Sequence, residues 1–126
     1  MSFNWGDYLA LADTLARQSG SPGPEEAALR SAISRSYYAA FCSARNAAET
    51  RKEITPSKTG KDHELVIRHF EKSHDLHRRK IGMNLRRLRD NRNHADYDNT
   101  LSGPPKPMAQ SSVALANNVL AKLGSL

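Results

Sequence analysis

Between Pro24 and about Thr50 the apolar residues Leu29, Ile33, Tyr37, Ala40, Phe41, Ala44 and Ala48 recur at steps of three and four. Side chains at that spacing share one stripe of an α-helix, so this stretch predicts the longest helix of the chain, with a single core-facing seam. Pro24 followed by Glu25 and Glu26 reads as its first turn, with acid at the positive end of the helix dipole. Such a stripe must be covered by other elements, and no alternation of β type longer than four residues is present to supply a sheet. The fold is therefore expected to be all-α.

The remaining segments supply the covering helices. Residues 4–18 set Trp5, Tyr8, Leu9, Ala12 and Leu15 on one stripe, and the stretch SGSPGP at 19–24 separates them from the long helix. The polar stretch TPSKTG at 55–60 reads as a loop, after which Asp62 is expected to cap a third helix carrying Leu65, Val66 and Phe70. A turn at KSHD, 72–75, precedes a fourth helix with Ile81, Leu85 and Leu88 on its buried side. The stretch SGPPKP at 102–107 breaks the chain before a last helix of about 108–123, which carries Val113, Ala116, Leu120 and Leu123 and stops at Gly124. With 126 residues and no internal repeat, residues 1–126 are expected to form one helical domain.

Charge narrows the partners. Nineteen Lys and Arg against thirteen Asp and Glu give +6, which favours a polyanionic or acidic partner. The single cysteine, Cys42, excludes an intrachain disulfide and lies in an alanine-rich stretch, where it is expected to be buried and inert. No run approaches the roughly 20 apolar residues that cross a bilayer, and the N-terminus lacks a signal-peptide layout. A cytoplasmic protein with no membrane partner is the expectation. His63, His69, His74 and His77 crowd the middle of the chain, but at spacings that make no metal motif, so neither metal nor cofactor is expected.

The basic residues concentrate in one place. Arg78, Arg79, Lys80, Arg86, Arg87, Arg89 and Arg92 fall within fifteen positions, opposed by Asp90 alone. A solvated helix face with cations towards its C-terminal end looks like this, and so does an electrostatic footprint for a phosphate backbone. His94 adds chemistry. An imidazole can take the proton of an RNA 2′-hydroxyl or protonate the leaving 5′-oxygen, while a guanidinium holds the phosphoryl oxygens as charge accumulates. Arg89 and His94 have four residues between them, so on an unbroken helix they lie about 140° apart. They can meet one phosphate if the helix ends at Asn91–Asn93, or if a two-fold partner contributes its own pair. On a continuing helix Asp90 could pair with His94 instead.

The segments RSYYAAFCSARNAAE at 35–49 and LRDNRNHADYD at 88–98, in that order and separation, resemble the HEPN family of small helical domains. The likeness spans about residues 5–123 and is closest to the branch with a SYYA-type second helix and an ADYD segment after the fourth. It implies a four- to five-helix up-and-down bundle that dimerises, with an Arg-x(4–6)-His motif in the dimer cleft. It also implies metal-independent ribonuclease activity in many members, a number of them toxins encoded beside a nucleotidyltransferase antitoxin or parts of phage-defence systems. Carried over, Arg89 is the motif arginine and His94 the motif histidine. Arg87 also fits the spacing, but members often carry a polar residue after the arginine, which Asp90 provides for Arg89 and Leu88 does not for Arg87. Arg86, Arg87 and Arg92 would steer RNA, with Asp90 and Asn93 in support. Where toxins of the family carry a modifiable tyrosine two places past the histidine, this chain has Asp96, and its tyrosine is Tyr97. The expected partners are RNA, a second copy of the chain and a nucleotidyltransferase-type antitoxin. A non-catalytic module binding RNA, a nucleotide or a partner nucleotidyltransferase is the alternative, and an assembly domain for an acidic protein is a third.

Overall fold

The computed structural model describes residues 2–17 and 24–126. The break expected at 19–24 lies outside the described residues except for Pro24. Five helices follow in order: α1 (Gly6–Ala16), α2 (Glu25–Thr50), α3 (Asp62–Glu71), α4 (Leu76–Tyr97) and α5 (Pro105–Gly124). Together they make an all-α bundle, and among the described residues no strand occurs. No helix is long and apolar enough to cross a membrane, again among the described residues.

The 26-residue α2 is the axis of the fold and packs against each of the other four helices. Its sequence seam explains this. Leu29, Ile33, Tyr37, Ala40, Phe41, Ala44 and Ala48 are all buried, joined by Ala32, Ser36 and Ala39 on the flanks. So many alanines keep the inner surface shallow, which lets neighbouring helices approach closely. Ile81, Leu85 and Leu88 of α4 and Val113, Ala116 and Val119 of α5 fill the same core. Cys42 is buried there, and burial pushes its thiol up, away from the reactive thiolate.

Several helix ends differ from expectation. Asp62 does not cap α3 from outside: it is the first helical residue, and its buried carboxylate reaches back to the loop before it. It accepts from Ser57 N at 2.8 Å, Ser57 Oγ at 2.7 Å and Lys58 N at 2.8 Å. Leu65 is exposed, because the face of α3 that meets α2 and α4 carries Val66, Ile67 and Phe70. The last helix begins at Pro105, inside the stretch read as a break, since a proline in the first turn loses no intrahelical hydrogen bond. Leu120 and Leu123 are half-buried, while Val119 takes the inner position.

The chain after α2 is tied down by Glu53. Its carboxylate accepts from Arg78 Nη1 at 2.8 Å and Nη2 at 2.9 Å, and lies 2.7 Å from His69 Nε2. The Arg78 fork, then His69, hold this carboxyl at about 2, against burial working the other way. A carboxyl pKa depressed in the folded state stabilises the fold above the unfolded value and loses that contribution as pH falls through the folded one. Glu53→Gln is therefore expected to be less stable at pH 7 by about 1 kcal/mol, the pair being partly screened by water. In chemical denaturation the gap from wild type should narrow below about pH 4.5 and close near pH 2. A gap of constant size would refute this account of the pair.

Candidate functional site

The C-terminal half of α4 carries the residues singled out by the sequence. Asp75 starts the helix by accepting from Arg78 N at 3.1 Å, and the helix then runs unbroken through Asn91, Arg92 and Asn93. Of the two ways in which Arg89 and His94 could meet one phosphate, a helix end at the asparagines does not occur. Their side chains find partners off the local backbone: Asn91 donates to Ser112 Oγ at 3.3 Å, and Asn93 accepts from Arg92 Nη1 at 2.7 Å. The end of α4 is instead secured from α2. Arg30 donates to the carbonyls of Ala95 at 3.0 Å, Asp98 at 2.6 Å and Asn99 at 3.4 Å, meeting the orphan acceptors and negative dipole end of the helix.

On this continuous helix Arg89 and His94 face different ways. Arg89 turns towards α3, with Nη1 3.5 Å from Glu64 Oε2 and a buried Nε that has no hydrogen-bond partner among the described residues. His94 is exposed, and its Nδ1 lies 2.6 Å from Asp98 Oδ2. The partner of His94 is not Asp90, which could have paired with it on an unbroken helix, but Asp98, which stands in extended conformation just past α4 and returns its carboxylate to the last turn. Within one chain the two motif residues are not brought together. Each nevertheless has a third group beside it, an acid on the imidazole and an acid on the guanidinium.

The other arginines divide by what holds them. Arg86 donates to Glu71 at 2.7 and 2.9 Å and to Glu64 at 2.6 Å, so its charge is largely neutralised by α3. Arg87 is exposed and lines a groove between α4 and α5 with Lys80 and Lys122. Arg92 is half-buried, donates to the Tyr38 hydroxyl and sits 3.2 Å from Asp96. Its guanidinium also lies over the rings of Tyr38 at 5.1 Å, Tyr37 at 5.7 Å and Tyr97 at 6.0 Å. Asp90 is exposed, and Tyr97 is 74% exposed. Among the described residues no group of three or more His, Cys, Asp and Glu is placed to hold a metal ion.

A second imidazole, which the sequence reading left aside, sits beside these arginines. His63, in the first turn of α3, stacks on Phe41 at 4.4 Å, and its Nδ1 is 2.5 Å from the hydroxyl of the fully buried Tyr37. Burial first, then the charges of Arg89 and Arg92, push the His63 pKa down, against a smaller upward pull from Asp62. Burial likewise raises the Tyr37 phenol far above its ordinary value, so both partners of this hydrogen bond are neutral near pH 7. The signal in the sequence was Tyr37 itself: a tyrosine on a core seam needs a partner for its hydroxyl. Which histidine would supply it depends on how α3 docks, which local spacing does not encode.

His63 also forms part of the wall of a cavity of about 510 Å³ between Trp5, just ahead of α1, the α2 helix and the 56–63 segment. Compared with family models, curated proteins and solved structures, the chain matches none.

Proposed function

We propose that the chain is a metal-independent endoribonuclease of the HEPN type, working as a homodimer and serving as the toxin of a toxin–antitoxin or phage-defence system. The observation that carries this reading is His94: an exposed imidazole whose Nδ1 is engaged by Asp98, leaving Nε2 for proton transfer. An acid that fixes ring orientation behind a solvent-facing imidazole is the arrangement general acid–base catalysis uses. In the proposed step Nε2 accepts the 2′-hydroxyl proton and the 2′-oxygen attacks phosphorus. The P–O5′ bond breaks as the imidazolium gives that proton, through water, to the departing 5′-oxygen, leaving a 2′,3′-cyclic phosphate, a 5′-hydroxyl end and a neutral imidazole. Arg89 of a second copy would hold the non-bridging oxygens, since a continuous α4 separates Arg89 and His94 within one chain. Arg89 is the arginine more easily released to a phosphate. Its 3.5 Å ion pair with Glu64 is looser than the 2.6 Å hydrogen bond that Glu64 makes with Arg86. Exposed Arg87 adds steering charge, and Tyr97 is accessible to a nucleotidyltransferase-type antitoxin.

The alternative, a module that binds RNA or a nucleotide without cutting, draws support from the neutralisation of Arg86 by Glu64 and Glu71. The two readings separate in one experiment: purified protein with single-stranded RNA in EDTA. Cleavage yielding 2′,3′-cyclic phosphate ends supports the nuclease. Salt-sensitive binding with no turnover supports the module.

A further inference from the structure

The cavity beside His63 has the make-up of a ligand site that the cleavage residues do not account for. Its volume of about 510 Å³ lies in the range of small-molecule sites. Half-buried Trp5 and Tyr38 contribute the accessible aromatic surface, with Phe41 buried behind them under His63, and Arg45 sits 5.9 Å from the Trp5 centroid and 5.9 Å from that of Phe41. Lys58 lines the rim with φ at 61°, a left-handed conformation that is uncommon for a residue with a side chain and that Lys52, away from the cavity, shares. Lys58 is held by Asp62, whose carboxylate binds the Lys58 and Ser57 backbone N–H groups. Glycine would occupy that position without strain, and a lysine there puts an ammonium at the mouth of the cavity. Two acids also line the cavity: Asp62, an ionised carboxylate turned to the Ser57 and Lys58 donors and facing the charge of Arg45, and Glu49, which is exposed.

We propose that this cavity is a subsite for one unpaired nucleotide of an RNA strand, its base stacking on the aromatic wall and its phosphate meeting Arg45 and Lys58. Aromatic rings interleaved with cations are what single-stranded nucleic acid requires, because every base offers a π-face and every linkage a negative charge. His63 connects the subsite to the cleavage machinery: it lines the cavity on one side and feels the charges of Arg89 and Arg92 on the other. A base seated here would hold the neighbouring phosphate near α4, and a paired base could not enter. The proposal rests on the RNA-binding part of the reading above and not on cleavage.

The only tryptophan of the chain, Trp5, lines the cavity and reports on it directly. Adenosine monophosphate and a 2′-O-methyl hexaadenylate, which cannot be cut at its 2′-oxygens, are titrated against Trp5 fluorescence. Both are expected to quench it saturably, the hexamer with the higher affinity. A blunt-ended, 2′-O-methylated RNA duplex of about sixteen mixed base pairs, stable at the assay temperature, should bind at least tenfold more weakly than the hexamer. The double variant Arg45→Gln/Lys58→Gly should lose at least tenfold in affinity for both probes. Lys58→Gly alone should keep or raise the thermal midpoint, since it relieves the left-handed strain, so weaker binding by that variant cannot be ascribed to unfolding. Absence of saturable quenching by the hexamer, equal binding of single strand and duplex, or unchanged affinity in the double variant would each overturn the proposal. Because the hexamer is not a substrate, none of these outcomes depends on whether the chain cleaves RNA.

Discussion

Replacing His94 with alanine is expected to lower RNA cleavage by about 10²–10⁴-fold, the range that a positioned general acid–base group contributes. The fold should barely register the change. His94 is 56% exposed at its side chain and its ion-pair partner Asp98 is 45% exposed, so the lost contact is a surface pair of small net worth. The thermal midpoint should therefore stay within about 2 °C of wild type. Asp98→Asn is the sharper companion. It preserves the shape of the contact and removes the charge that holds Nδ1, and cleavage should fall about tenfold or more with no change in RNA affinity. If His94→Ala cleaves at the wild-type rate, the imidazole has no part in the chemistry. If it abolishes cleavage only by unfolding the protein, the exposed pair described above has been misjudged.

The largest effect on stability is expected at Gly82, where α4 passes the end of α3. A Cβ at this position would lie 2.5 Å from the Glu71 backbone nitrogen, 2.8 Å from Glu71 Cγ and 3.0 Å from Glu71 Cα. Backbone cannot yield as a flexible side chain does, so the two helices would have to separate. In an exposed helix interior Gly→Ala stabilises by about 1 kcal/mol, and propensity alone would recommend the substitution. Here overpacking should reverse the sign and cost about 2–4 kcal/mol, read as a lower midpoint in urea. The consequence reaches the site. Glu71 and Glu64 of α3 grip Arg86, and Glu64 faces Arg89, so moving α3 away from α4 would free both guanidinium groups. A Gly82→Ala protein as stable as wild type would contradict this packing.

Much of the bundle was legible because helical periodicity is local. Every seam residue of α2, from Leu29 to Ala48, is buried as its spacing predicts, and so are Ile81, Leu85 and Leu88. The helix ends were less legible. Asp62 sits where a cap is expected, but its carboxylate is better satisfied by three groups of the preceding loop, a choice made by the loop's path. The pairings of the candidate residues were not legible. Arg86 reaches Glu71 fifteen residues away and Glu64 twenty-two away, and Tyr37 reaches His63 across twenty-six. Those contacts follow from α3 docking on α2 and α4, which no local pattern specifies. The geometric statement about Arg89 and His94 did follow from the sequence: on a continuous helix they diverge, and the helix is continuous.

That divergence makes the central claim testable by mixing two inactive proteins. Arg89→Ala and His94→Ala chains are purified separately, exchanged to random pairing and assayed on single-stranded RNA in EDTA. In a two-fold dimer whose sites each draw Arg89 from one copy and His94 from the other, half of the dimers are mixed and each mixed dimer holds one intact site of two. The mixture should then recover about a quarter of the wild-type rate. A mixture that stays as inactive as its parents, beside an active wild type, would contradict a site shared between two copies, and a wild type without activity would contradict the nuclease itself.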